Sequence, residues 1–464
     1  VTDQRRAKVV CTIGPASQDE RTIAALVEAG MDVARLNLSY GSTEGHAAVA
    51  ARVREAAAAA GRRVAVLADL QGPKIRIGPI DGDRWLGPGE QVRLADAGRP
   101  APAGVLPTTH PRLSRDLRPG AAVLIRDGTV RATVDSVADG VVTARVVVPG
   151  TVRAGSGINL PGSTVTAPAL TDGDVADLEA ALAFGADLVA LSFVRSPDDV
   201  LAVREVMDRV GRRVPVIAKI EKPEAVDRMD EVIAAFDGIM VARGDLGVEV
   251  DLTRVPLIQK ALIDRCRYWA KPVIVATEML ESMVDRPRPT RAEASDVVNA
   301  VLDGADALML SAETSIGADP VLATGTMHQL ICAAEINGPP LRPRRIPAGD
   351  PDEAVVAGAV AMAGTTGAAA IVVVTQTGRT AERVAAHRPR QRLLVLGRGR
   401  VPEPILVLWG VEPCDRPLAD AALPGDLRAL AAREMGVGPD DTLVVVSGDR
   451  PGATNVVWLL QPEP

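Results

Sequence analysis

Apolar runs alternate with amphipathic stretches from the start of the chain: AKVVCTIG, DERTIAALVEAG, MDVARLNLS, the Ala-rich HAAVAARVREAAAAAG and RRVAVLADL. This predicts three strands separated by two helices with glycine at the helix ends, the βαβα rhythm of a parallel sheet. From about Gln71 to Gly162 the rhythm changes to short alternating runs such as AAVLIRDGTVRATVDSVADGVVTARVVV, broken by Asp-Gly turns. Those runs predict an antiparallel β region of about 90 residues, a small barrel or sandwich set into the first domain. The parallel rhythm resumes with a helix near 172–184 and five further runs, DLVALSFV, VPVIAKIE, GIMVARGD, KPVIVATEM and DALMLSAE. Three strands before the insertion and five after it predict a (β/α)8 TIM barrel, whose chemistry sits at the C-terminal strand ends. The insertion leaves from the third strand on that same face, where it can act as a lid.

A Pro-rich basic joint, NGPPLRPRRIPAGDP, then marks a boundary. Beyond it, an Ala-rich helix near 352–364, the runs AAIVVVT, RLLVLG and TLVVVS, and a helix near 425–435 predict an α/β domain with its own sheet. The expected organisation is therefore barrel over 1–71 and 163–338, inserted antiparallel β-barrel lid over 72–162, and C-terminal α/β domain over 339–464.

Composition narrows the class. A chain of 464 residues with 47% hydrophobic and 24% charged residues is that of a globular protein, and its length suggests about two to four domains. The N-terminal VTDQRRAKVV lacks the apolar core of a signal peptide, and no apolar run approaches the roughly 20 residues of a membrane helix, so a cytoplasmic location is expected. Four scattered cysteines form no CxxC pair and four scattered histidines no HExxH, so any metal is expected on oxygen ligands. A net charge of -7 and 2% aromatic residues argue against nucleic-acid binding.

Candidate chemistry gathers on the strand ends. PVIAKIE and GIMVARGDLG end two apolar runs in charge, at Lys219 and Glu221 and at Arg243 and Asp245. With the helix-like EKPEAVDRMDEVIAAF between them as the crossover of a βαβ unit, these ends present a lysine, an arginine and two carboxylates to one spot. Two carboxylates from neighbouring strands can hold a small hard cation such as Mg2+, and Lys219, two residues before Glu221, shares its face. A lone KxE reads more simply as a strand-end ion pair, but charge on both ends points to phosphoryl chemistry. The turn Arg243-Gly244-Asp245-Leu246-Gly247 offers amides to an anion, or else an ordinary βα turn with Asp245 as N-cap. Arg35, Asn37 and Ser39 recur at every second residue of the second strand, Asp69 ends the third, and Thr277 and Ser311 follow the seventh and eighth. Neither a GxxxxGK loop nor a GxGxxG after a strand occurs.

Together, KVVCTIGPAS, DVARLNLSYG, ADLQGPKIRIG, GINLPG, AKIEKPE, MVARGDLGVE, ATEMLESM, RPTRAEASDVVNAVLDGADALMLSAET and VVVSGDRPGATN resemble the pyruvate kinase family from Lys8 onward. The resemblance implies a barrel, an inserted lid and a C-terminal regulatory domain, with phosphoryl transfer from phosphoenolpyruvate to ADP giving pyruvate and ATP. It implies Glu221 and Asp245 as ligands of Mg2+ or Mn2+, and Lys219 and Arg35 on the transferring phosphoryl group. Gly244, Asp245 and Thr277 would take the substrate carboxylate, and Thr277 and Ser311 would lie near the proton path. Asn37, Arg76 and Asp127 would contact the nucleotide. Thr375, Thr377, Gly378, Arg379 and Thr380 match a loop that binds a phosphorylated effector in some relatives; a plain βα loop is the alternative. The family's habit implies a homotetramer.

Some positions depart from the family pattern. Asn37, Ser39 and Asp69 of the potassium site remain, but Leu70, Gln71 and Lys74 stand where many members carry Thr, Lys and Glu. An ammonium at Lys74 can supply the charge that potassium supplies elsewhere, so potassium is expected not to be required. Tyr40 and Ser156 replace a common His and Lys, which touches the nucleotide contacts but not the reaction. Two other readings stay open on sequence: a Mg-dependent barrel lyase acting on pyruvate enolate, which leaves Lys219, Arg76 and the insertion unexplained, and a non-catalytic metabolite sensor, which predicts a lost ligand.

Overall fold

The computed structural model describes residues 5–99, 102, 104–163, 165–339, 341–397, 403–414, 424–448 and 453–461. Asp449 to Gly452 of the closing SGDRPGATN motif lie outside them. Eight parallel strands close a barrel: Lys8–Ile13, Val33–Asn37, Ala65–Asp69, Leu188–Leu191, Val216–Ile220, Gly238–Ala242, Val273–Ala276 and Ala307–Leu310. Each pairs with its neighbours in chain order, and the first pairs with the eighth, Lys8 opposite Ala307.

Side chains alternate across each strand, so one sequence builds two cores. In the third strand, Ala65 and Leu67 join an interior cluster with Val10, Ile217, Met240 and Met309. Val66 and Ala68 instead join the larger cluster between strands and surrounding helices. Strands buried on both faces have to be nearly continuous apolar runs, and any polar residue in them needs a partner. The interior cluster also takes in Leu406 and Val407 from beyond the barrel. They belong to a short 3-10 turn, Glu403–Val407, and Trp409 N donates to Asp306 Oδ1 at 3.0 Å just after it.

The inserted region forms a seven-stranded sheet with its own core around Ile77, Leu86, Leu94, Val123, Ile125 and Val142. It is antiparallel except for the pair Gln91–Ala95 and Val105–Pro107. Its two edges meet through an Ile77–Thr108 bridge, with Gly78 N donating to Pro107 O at 2.8 Å and Thr109 N to Arg76 O at 2.9 Å. The sheet thus curls into a small barrel. Asp139 and Gly140, both at positive φ, make the tight turn between its longest strands, as the Asp-Gly signal predicts. The ribbon joining it to the larger barrel is a strand pair, Ile75–Arg76 and Gly157–Asn159, with Gly157 opposite Arg76 and Ile158 opposite Ile75.

The C-terminal domain is a five-stranded sheet, parallel except for its last strand, Val456–Leu460. Two expectations differ in detail. The EKPEAVDRMDEVIAAF segment is not one helix but two, Pro223–Asp227 and Met229–Ala235, because Arg228 leaves helical geometry at φ -110 and ψ 28. The second strand ends at Asn37, so its alternation does not reach Ser39. Asn37 Oδ1 instead accepts from Ser39 N at 3.2 Å and turns the chain. Among the described residues no helix is long and apolar enough to cross a membrane.

Candidate active site at the barrel mouth

Lys219 is the centre of the mouth. It points inward from the fifth strand, and its Nζ lies 3.2 Å from Asp69 Oδ1, 3.0 Å from Glu221 Oε1 and 2.7 Å from Ser192 Oγ. Burial alone would lower its pKa, but Asp69 and Glu221 raise it above the usual lysine value, so the ammonium stays charged. Asp69 is gripped from its other side by Arg35, Nε to Oδ2 at 2.6 Å. Burial would raise the Asp69 carboxyl, yet Lys219 and Arg35 more than offset it and hold it below the carboxylate range. Arg35 also donates to Thr12 Oγ1 at 2.9 Å, which fixes the guanidinium from the first strand.

Glu221 lies just past the fifth strand and is fully buried. Its Oε2 accepts from Phe193 N at 2.8 Å, and its Oε1 has no hydrogen-bond partner beyond the ion pair with Lys219. Burial pushes the Glu221 carboxyl up, and the nearby Asp245 charge pushes it further. A buried carboxylate repelled by a second one, with a lone pair left over, is a donor set suited to a hard divalent cation. The residues therefore fit Mg2+ or Mn2+. No group of three or more His, Cys, Asp or Glu gathers as a closed metal site among the described residues.

Asp245 sits in the first turn of the helix Arg243–Glu249 and does not cap it. Its carboxylate, a quarter exposed, pairs with Lys74 Nζ at 3.1 Å. The structure thus puts Lys74 on Asp245. Among the described residues, Lys74 makes no ion pair with Asp69 and no hydrogen bond to Asn37 or Ser39, because Arg35 and Lys219 already occupy both oxygens of Asp69. Arg243 likewise turns away from Lys219. It donates to Thr277 O at 2.6 Å and pairs with Asp296, bracing the loop after the seventh strand. That loop carries Thr277 and Glu278 at φ 70 and 54, a conformation unusual for residues with a side chain. Thr277 Oγ1 accepts from Gly244 N at 2.8 Å and donates to Ala276 O at 2.6 Å, so the Gly244 amide is not free. Ser311 Oγ is buried with no hydrogen-bond partner, while its amide donates to Glu313 at 2.6 Å.

On the lid side, Arg76 Nη1 donates to Gly155 O at 3.1 Å. Asp127 stands exposed in a turn whose Arg126 N donates to Gly157 O at 3.0 Å. Because Gly157 pairs with Arg76, the two residues lie across one strand from each other. No hydrogen bond or ion pair joins them to Asn37 or Ser39 among the described residues. In the C-terminal domain, Gly378 at φ +90 starts the helix Arg379–Ala386, its amide held by Thr375 Oγ1 at 3.0 Å. Thr380 Oγ1 meets Thr454 Oγ1 at 2.8 Å, and Arg379 reaches the barrel, donating to Trp269 O and Ala270 O at 3.2 and 3.1 Å.

Thr12, Ser192, Phe193 and Glu313 escaped the sequence reading. Thr12 had a signal, being polar within an apolar strand, as did Ser192 at the fourth strand's exit. Phe193 works through its amide at φ 55, which no side-chain pattern reveals.

The family model described as pyruvate kinase, barrel domain, matches residues 4–324, and that described as pyruvate kinase, alpha/beta domain, matches residues 353–459. The chain belongs to the pyruvate kinase family. A pyruvate kinase of Mycobacterium intracellulare is 49% identical, with 98% of each chain covered, and one of Corynebacterium glutamicum is 46% identical over 97% of this chain and 95% of that one. A crystal structure of a pyruvate kinase from Cryptosporidium parvum superposes with a TM-score of 0.90 at 32% identity, covering 99% of this chain and 97% of its own. Family membership makes the chain a glycolytic phosphotransferase, with phosphoenolpyruvate and ADP as the substrates that pyruvate kinase activity implies.

Proposed function

We propose that Lys219, held between Asp69 and Glu221, is the charge on which phosphoryl transfer turns. It is the observation that carries the reading: a buried ammonium paired with Asp69 at the end of the third strand and with Glu221 just past the end of its own, the fifth. Lys219 and Arg35 bind and orient the phosphoryl group, already fixed by Asp69, Ser192 and Thr12. Glu221 and Asp245 would hold Mg2+ or Mn2+, which would supply further positive charge beside Lys219 to the substrate oxygens. The substrate carboxylate takes the amides near Gly244 and Asp245 by displacing the Thr277 hydroxyl, leaving that hydroxyl free to contact substrate. The bond from phosphorus to the enol oxygen breaks as one to a terminal ADP oxygen forms, and the enolate carbon then takes a proton. Thr277 and the unpartnered Ser311 hydroxyl stand near that proton path. Arg76, Asp127 and Asn37 contact the nucleotide, and closure of the inserted domain excludes water.

The enzyme works in the cytoplasm without potassium, Lys74 supplying the fixed charge. Purified protein with Mg2+ or Mn2+ should form pyruvate only when both phosphoenolpyruvate and ADP are present. No product at saturating substrates would refute the reading. The loop over Thr375, Thr377, Gly378, Arg379 and Thr380 binds a phosphorylated effector. Titration calorimetry with sugar and nucleotide phosphates should show binding that Arg379→Ala abolishes, and no binding by any of them would sink this site. Assembly is as a homotetramer, which sedimentation tests.

A further inference from the structure

The ribbon that carries the inserted domain grips the helix Arg243–Glu249 at both ends. On the outgoing side, Lys74 holds Asp245 in the first turn at 3.1 Å. On the returning side, Asn159 Nδ2 donates to Glu249 Oε1, at the helix's last residue, at 3.0 Å. The same Glu249 oxygen takes Lys222 Nζ at 2.7 Å. Asn159 and Glu249 are both buried, at 4% and 6% exposure, so this contact is shielded from water and worth more than a surface pair.

Lys222 also lies over the Phe193 ring, 5.7 Å from its centre, and the Phe193 amide holds Glu221. Glu221 and Asp245, the two candidate cation ligands, are therefore both reached from one junction, Asp245 through the helix and Glu221 through Phe193. Two features show that the junction is not simply packed core. Asn159 Oδ1 is buried with no hydrogen-bond partner, and beside it a cavity of about 30 Å³ is lined by Lys74, Ile75, Ile158, Phe193, Arg195 and Lys222. A polar latch beside a cavity large enough to admit water can shift as a unit where a close-packed core could not.

We propose that Asn159, acting through Glu249, is a positioning residue for Asp245, so that the inserted domain and the mouth carboxylates move together. This rests on the reading of Asp245 as part of the catalytic mouth. A seven-residue helix is short enough to tilt as a rigid piece, and with Asn159 in the two-stranded ribbon and Lys74 directly before its outgoing strand, rotation of the ribbon pulls on both ends of the helix.

The test uses Asn159→Ala, Glu249→Gln and the double variant, with kcat and KM for each substrate and Mn2+ affinity by electron paramagnetic resonance. Asn159→Ala should lower kcat about tenfold and weaken Mn2+ binding several-fold, since a displacement of about 1 Å at a site is enough for such losses. Glu249→Gln should show the same pattern at smaller amplitude, which keeps the test readable if Asn159→Ala does not fold. Adding Asn159→Ala to Glu249→Gln should cost less than Asn159→Ala costs alone. Fully additive losses, or lowered melting temperature with kcat and Mn2+ affinity retained, would overturn the proposal. An inactive wild type would instead condemn the functional reading.

Discussion

Replacing Lys219 by methionine should lower kcat by about 10³-fold, roughly 4 kcal/mol of transition-state stabilisation, since removing one preorganised charge-stabilising group costs on this scale. The methionine fills similar space but leaves Asp69 and Glu221 facing each other across the site. Arg35 still compensates Asp69. Glu221 then lacks a cation, and breaking a buried pair by removing one partner costs about 3–5 kcal/mol of stability. That cost is reduced by protonation of Glu221, whose pKa burial and Asp245 already raise. The variant is therefore expected to fold with a lowered melting temperature and to bind Mn2+, while pyruvate formation nearly stops. A kcat within tenfold of wild type would show that another group carries the charge.

Lys74 gives the second large effect. Wild-type rates in sodium-only and potassium buffers should agree within about twofold, a difference of less than 0.5 kcal/mol. Lys74→Glu should then create a potassium requirement. The substitution puts a carboxylate beside Asp245, where Lys74 Nζ now sits at 3.1 Å. Two like charges at about 4 Å repel by roughly 1 kcal/mol in water and several times that in a partly buried site. The variant should lose at least an order of magnitude in sodium and recover in potassium, which sheds its hydration shell more readily than sodium and so can bind directly between the paired carboxylates. Strong potassium activation of the wild type would sink the idea. Lys74 pairs with Asp245 and not with Asp69, so a compensating charge would act on the Asp245 side of the mouth.

The barrel was legible because its strands are buried on both faces and read as unbroken apolar runs, so eight of them could be counted. Lys219 and Glu221 were legible because spacing within one strand fixes which face a side chain takes. Ser39 was misplaced because the strand stops two residues before it, a boundary that Asn37 sets by bonding to the next turn. Arg243 was misplaced because its partners, Asp296 and Thr277 O, lie far along the chain and only the closed barrel brings them near. The Asn159–Glu249 contact was invisible for the same reason. It depends on how a returning strand of one domain meets a helix of another, 90 residues away.

At the opposite end of the barrel, Leu406 and Val407 complete the interior cluster that the eight strands begin. The C-terminal domain is thus a stopper as much as an appendage: Leu406 and Val407 cover the apolar residues Val33, Ala65, Leu188 and Ala307 at the starts of the barrel strands. Cutting the chain after the barrel's last helix would open a greasy well at its base and remove the Trp409–Asp306 clasp beside it. Any relative that lost this domain would need another plug there. In this chain, a shift of the turn that carries Leu406 and Val407 would be felt first by the barrel interior that those two side chains complete.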